Sequence, residues 1–577
     1  MAPRPTQDDV ILSIPSYLRQ FVVRQEYDTY TEQDHAVWRY VMRRNLDVLR
    51  NTAHPAYLQG LQATGIGVDR IPHIDDMNEA LGKIGWRAVV VDGFVPPAAF
   101  MEFQAHRILV ISADIRHVNH IQYTPAPDII HEAAGHAPIL AEPMYAEFLR
   151  RFGEYGSKAV FSKADYEIYE AIRYLSILKE FPGTPDSEMK AAEDDLAAKT
   201  AAVHDPSESA LLSRLHWWTV EYGLMGTPTD FRIFGAGILS SVGESKACLD
   251  PAVTKLPLTV ECVSVNYDIT TMQPQLFVAR DFDHLISTLE TFADRMCFRR
   301  GGWESARALS ASGQVGTIVL DSGLQVSGLF TLAQDGFIRT HGPTALAYQN
   351  IQLIGHGIRQ HADGFSSPLG RLTDMDMPLH LADDGDLLRM RIVVGHSCRL
   401  DFRSGHSLAG TLSHIVRKDG RNLVFTFRQC TVRDARGGIV FHPDWGVYDL
   451  AVGEHIVSAF SGSADKEQFN VYPEKSSRNA IPVIHTGTEQ ALFTRYRQIR
   501  SMRETGSCDP VALNEISGWL DRHAPEAWLA RFELLEISRK CDGSQALSQH
   551  LEDQLAGFGS RSEELDDLIT AGYRFIA

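Results

Sequence analysis

From Gly313 to about Val471 this chain alternates apolar and polar residues in short runs divided by Gly, Asp and Asn, whereas from Tyr30 to about Arg300 its apolar residues recur at helical spacing. A period of two builds a half-buried strand and a period near 3.6 builds one face of a helix, so the two stretches cannot share one regular architecture. The change falls near Gly301. With 577 residues the chain is also too long for one ordinary core, since single cores stop growing at roughly 250 to 300 residues. The expected fold is therefore multidomain: a mainly helical part with a few short strands over residues 1–300, a β-rich part over 301–505 and a helical C-terminal region over 506–577.

Local signals sharpen this outline. Glu32 to Leu49 is an amphipathic helix by its pattern, and the apolar runs Arg87 to Phe94 and Ile108 to Ile111 read as brief strands. Ala164 to Phe181 and Ser187 to His204 read as two helices split by PGTPD, a solvated hairpin without a functional role. Asp419-Gly420 between two alternating runs predicts a hairpin turn. Asp509 followed by Pro510 predicts the start of a helix.

A formal net charge of -18 opposes attraction to nucleic acid or to anionic membranes. The opening stretch contains Asp8 and Asp9 and makes a poor signal peptide, and no apolar run approaches membrane-spanning length. Seven cysteines without a CxxC pair predict reduced thiols in a cytoplasmic protein, with no disulfide framework.

The chemistry concentrates in YTPAPDIIHEAAGHAPIL, Tyr123 to Leu140, which places His131, Glu132 and His136 on or beside one helix. Histidines four apart would suggest the zinc-protease motif HExxH. Here the spacing is five, which on a regular helix leaves the rings about 140° apart. A local widening of the helix, or a turn that ends it, brings them back to one ion, and Gly135 tolerates such a distortion. In LHWWTVEYGL, Leu215 to Leu224, Glu221 stands among apolar neighbours, where a carboxylate must be paired, protonated or metal-bound. Two imidazoles and one carboxylate suit a non-haem iron(II) centre with open positions, although zinc accepts similar ligands.

The segments PDIIHEAAGHAPIL, HWWTVEYGL and FGAGILSSVGES, in that order, resemble the central signature of the biopterin-dependent aromatic amino acid hydroxylases. The similarity takes in YTEQDHAVW, RIPHIDDMNEAL and VNYDITTMQPQLFVA as well, roughly half of the chain. This resemblance implies the hydroxylase-type catalytic fold, with Fe(2+) bound by His131, His136 and Glu221 and with Glu132 as a catalytic, non-ligand carboxylate near the pterin. It implies that Val91, Gly93, Phe94 and Val95 cradle tetrahydrobiopterin or a related reduced pterin, with Phe100 stacked on its ring. Arg116 is then the catalytic-site cation that binds the substrate carboxylate through two parallel hydrogen bonds. Thr124 and Ser240 line the substrate site, and Pro125 and Trp217 surround the substrate ring.

The implied function is ring hydroxylation of an aromatic amino acid with O2 and reduced pterin. Trp217 and Ile269 favour phenylalanine, the first by crowding an indole and the second by offering no partner to a phenolic hydroxyl. Tryptophan or tyrosine hydroxylation stays open within the family. A zinc-dependent hydrolase using Glu132 as base is the reading outside it. Val110, His216 and Ala126 depart from the pattern of the animal enzymes, and an insertion covers much of Phe161 to Asp205.

Every matched motif lies before Arg300, so a chain ending there is expected to keep its chemistry. The C-terminal half resembles no family and is left as a scaffold for homo-oligomers or a regulatory or protein-binding module. His356 and His361 in GHGIRQH lack a neighbouring carboxylate and are read as having no metal role, as are His117 and His120.

Overall fold

The computed structural model describes residues 5–93, 95–122, 127–180, 184–267, 271–334, 336–472 and 485–576. The long helix Glu32–Thr52 runs through the first part, opened by Thr31 and Asp34 in a reciprocal cap. It buries residues from His35 through Met42 and again at Leu49, which is more than one stripe, because helices pack on it from several sides. Strand Arg87–Val91 pairs in parallel with Ile108–Ser112 across the helix Pro97–Ala105, and Val22–Val23 adds an antiparallel edge. A second small sheet has the order Asp230–Ile233, Leu224–Thr227, Gln275–Ala279, Thr254–Pro257. The insertion forms the helices Lys163–Glu180 and Asp186–Ala201.

The β-rich part follows Gly301 and Gly302, whose φ angles of 60° and 73° favour glycine. A Cβ on Gly301 would also stand 2.7 Å from the Ile456 carbonyl oxygen. The helix Gly302–Ser312 then leads into two antiparallel sheets of six and five strands. Asp419 and Gly420, both at positive φ, turn Ser407–Lys418 into Arg421–Arg433.

Two expectations for the C-terminal region are corrected. Its helices begin at Gly487 and not at residue 506, with Thr486 and Glu489 forming a capping box on Gly487–Thr505. That helix buries only Tyr496 and Ile499 among many charges, so its period is faint in the sequence. The cysteines are not all reduced: Cys508 and Cys541, at the edges of Pro510–His523 and Trp528–Arg539, form a disulfide with a Cα separation of 5.4 Å. No CxxC spacing announces it because the antiparallel helices bring the pair together.

The C-terminal helices share the first part's core. Tyr496, Leu513, Trp528, Leu551 and Ile569 belong to the same apolar cluster as Trp38, Val41 and Trp218. At their contact with Glu32–Thr52, Arg39 and Glu533 form a buried ion pair at 2.6 Å. Among the described residues no helix is long and apolar enough to cross a membrane.

Candidate metal centre and its pocket

Residues Ile130–His136 form a π-helical turn, the local widening that a spacing of five requires. Hydrogen bonds reaching one residue further than in an α-helix return His136 to the face of His131, and their Nε2 atoms lie 3.1 Å apart. Gly135 serves this turn by its size, since an added Cβ would meet the Ala236 carbonyl oxygen at 2.8 Å. A second π turn, Trp217–Glu221, delivers Glu221 to the same point. Its carboxylate oxygens stand 3.4 Å from His131 Nε2 and 3.3 Å from His136 Nε2.

Ser240 Oγ donates to the Ala236 carbonyl at 2.8 Å and stands 2.9 Å from His131 Nδ1. A hydroxyl already donating can only accept from the ring, which assigns the proton to Nδ1 and leaves the Nε2 lone pair facing Glu221 and His136. Burial opposes charge on Glu221, but its interactions with the His136 and His131 rings outweigh it and hold the carboxyl well below its usual range. The donor set therefore fits a divalent transition metal: two imidazoles, one ionised carboxylate and mutual separations near 3 Å.

The surrounding residues fall partly as expected. Arg116 is buried, but its Nε and Nη2 already form a double hydrogen bond with Asp128, each at 2.8 Å. The two parallel bonds expected for a substrate thus belong to Asp128, which also accepts from His131 N at 3.0 Å. Arg116 Nη1 donates to the Ile121 carbonyl at 3.3 Å. Trp217 is clamped between Tyr267 and Tyr222, with ring centroids 4.3 and 4.5 Å away.

A cavity of about 640 Å³ opens on the triad, with Val95, Phe100, Arg116, His131, Trp217, Glu221 and Ser240 on its wall. Val91 is not there: it is buried beneath its strand with Val10 and Phe103. Gly93, Glu132 and His136 are also absent from the wall. Glu132 is buried with Oε2 lacking a hydrogen-bond partner, and burial pushes its carboxyl up to about 8. Phe94, Thr124, Pro125 and Ile269 lie outside the described residues, as does Ala126.

Several residues of the wall were given no place there by the sequence. Glu244 lies on the wall, pushed up to about 7 by burial, and its signal was the one used for Glu221, a carboxylate among small and apolar residues. His216 stands on the wall with its Nδ1 3.7 Å from Glu221. Tyr169, Ile172 and Ser176 come from the inserted helix Lys163–Glu180. The reading of that hairpin as a solvated element is therefore corrected, and its amphipathic pattern could not say which surface the buried face would cover.

The chain matches the family described as biopterin-dependent aromatic amino acid hydroxylase over residues 24–165 and 191–300. The phenylalanine-4-hydroxylase of Chromobacterium violaceum is 30% identical over 277 residues, which are 47% of this chain and 78% of that protein. The phenylalanine-4-hydroxylase of Pseudomonas aeruginosa is 30% identical over 272 residues, 46% of this chain and 87% of that protein. A crystal structure of the Chromobacterium violaceum enzyme with bound iron(III) and 7,8-dihydrobiopterin is 27% identical, covers 51% of this chain and 92% of that one, and has a TM-score of 0.39. The family match omits residues 166–190, which hold Tyr169, Ile172 and Ser176.

Proposed function

This chain belongs to the biopterin-dependent aromatic amino acid hydroxylases, and from that premise we propose that it hydroxylates the ring of phenylalanine to give tyrosine, using O2 and a tetrahydropterin at iron(II) held by His131, His136 and Glu221. The carrying observation is the triad itself, whose ligand atoms lie 3.1 to 3.4 Å apart on two π turns facing a mostly apolar cavity. When bound there, iron and reduced pterin supply the electrons that activate dioxygen.

The chain's own residues do the rest by placement. Ser240 fixes the tautomer of His131, so that ligand needs no reorientation. Arg116, locked by Asp128, presents its outer N–H groups to the amino acid carboxylate as a fixed cation. Phe100 offers an aromatic face on the pterin side, and Tyr169 and Ile172 of the insertion help exclude water. Trp217 cannot swing aside from its two tyrosines, so its width is taken from the pocket and a bulky indole is disfavoured. The hydrolase reading loses support because the histidines are five apart on a π turn and not four apart on a regular helix as in HExxH.

The test is kcat/KM for phenylalanine, tyrosine and tryptophan at saturating iron and tetrahydropterin. Phenylalanine should lead, and tyrosine should trail by roughly a hundredfold or less, because a pocket rejects an added hydroxyl only modestly. A preference for tryptophan overturns the substrate. His131→Ala should lose both iron and turnover, and retention of both would overturn the metal assignment.

A further inference from the structure

The loop Leu353 to Phe365 joins two strands of the six-stranded sheet and carries His356 and His361. Backbone hydrogen bonds fix it: Leu346 N donates to the His356 carbonyl at 2.8 Å and Thr344 N to the His361 carbonyl at 3.0 Å. The carboxylate missing from the local sequence arrives from far along the chain. Asp449 lies on the strand Tyr448–Ala451, paired opposite Thr426, and its side chain is buried between the two imidazoles.

His356 Nδ1 stands 2.9 Å from Asp449 Oδ2, and His361 Nε2 stands 3.2 Å from the same oxygen. Thr426 Oγ1 donates to the other oxygen at 2.6 Å, which fixes the plane of the carboxylate. All three ligand atoms lie within 4.8 Å of one another. Metal–ligand bonds of about 2.0 to 2.2 Å, set between right and tetrahedral angles, separate neighbouring donors by about 3 to 3.5 Å. The two nitrogen-to-oxygen distances match that spacing and those of the His131, His136 and Glu221 centre.

A hydrogen-bonded aspartate between two histidines is the simpler account, and it explains His356. It serves His361 less well, because its buried Nε2 stands 3.2 Å from an oxygen already held by His356 and is not aligned for a good hydrogen bond. A buried ring nitrogen so poorly satisfied is costly, and an ion is one of the few things that repair it. We propose that the β-rich part binds a second divalent transition-metal ion, of the zinc class, through His356, His361 and Asp449. Two imidazoles and a carboxylate without thiolate suit zinc and its first-row neighbours, and Thr426 supplies the outer support such a site needs. The ion clamps the loop onto the strands beneath it.

The full chain, stripped by chelator and titrated with Zn(2+), should bind two equivalents. His131→Ala should bind one, while Asp449→Asn and His361→Gln should each bind one and keep iron-dependent hydroxylation when reloaded. Circular dichroism establishes that each variant is folded, and Zn(2+) should raise the melting temperature of His131→Ala but not of His131→Ala combined with His361→Gln. Saturation of the parent at one equivalent, or two equivalents retained in both Asp449→Asn and His361→Gln, would overturn the site.

Discussion

The two regions beyond Gly301 relate to the catalytic part in opposite ways. The β-rich part has its own apolar clusters, one around Ile318, Val326 and Leu346 and one around Leu400, Leu412 and Phe427; among the described buried residues in them only Val160 and Cys297 precede Gly301. Among the described residues the C-terminal helices have no separate core, and their apolar residues complete the one that surrounds the metal centre. A boundary drawn where the residue pattern changes is therefore a boundary of architecture, not of stability. The segment most distant in sequence is the more deeply integrated.

The largest expected effect reverses the expectation drawn from motif positions. A chain ending near Arg300 keeps every matched motif but uncovers Tyr40, whose ring packs against Trp528, Phe532 and Phe575, in the cluster that also holds Trp38 and Val41. It should be insoluble or collapsed, with no cooperative melting transition. A soluble, active product would break the comparison.

Arg39→Ala probes the same seam at one residue. It strands Glu533, buried at 5% side-chain exposure and otherwise ion-paired, among the described residues, with Arg503 at 3.5 Å. Removing one partner of a buried ion pair costs about 3–5 kcal/mol. Chemical denaturation should show that loss in a single transition, since core and helices unfold together; two separated transitions would argue that the helices fold apart.

What the sequence made legible follows from how local each signal is. The strands at Arg87 and Ile108, the turn at Asp419-Gly420 and the cap at Asp509 are written in adjacent residues, and the structure has all of them. His131, His136 and Glu221 were readable because each has an informative neighbourhood, and the spacing of five even required the π turn. His356 and His361 share that spacing, yet Asp449 comes from a strand whose pairing no local pattern reveals. The disulfide, the bond between Asp128 and Arg116 and the insertion's seat on the pocket were hidden for the same reason: each depends on how elements meet.

A smaller effect is expected at the disulfide, which ties together two helices of the integrated region across a sequence separation of 33 residues. Closing a loop of that length stabilises by about 2–4 kcal/mol. Cys508→Ser should melt several degrees lower than the oxidised parent, and reductant should bring the parent down to the variant while leaving the variant unmoved. If reductant shifts neither, the helices owe their alignment to packing and the integrated region is more robust than the comparison holds.

The smallest effect belongs to the joint between the catalytic and β-rich parts. Glu102, on the helix Pro97–Ala105, accepts hydrogen bonds from Tyr17 at 2.7 Å, Tyr472 at 2.6 Å and Lys466 at 2.8 Å. Lys466 and Tyr472 follow the last strand of the β-rich part, so this one carboxylate ties the two together, beside the bonds from Ser16 N to Glu467 and from Phe161 N to Ser461. Glu102→Gln keeps the shape and one acceptor but removes the charge facing Lys466 and turns an amide donor toward one side of the group. The loss expected from leaving such partners poorly satisfied is about 1–3 kcal/mol. Because each side of the joint keeps its own core, the cost should appear as looser docking: faster amide exchange in Pro97–Ala105 and around Lys466, with metal content unchanged. Phe100 and Met101 on that helix line the cavity, so KM for the pterin should rise by a few fold while kcat holds. A loss as large as that of Arg39→Ala, with the whole chain melting together, would mean that the β-rich part is as integrated as the C-terminal helices.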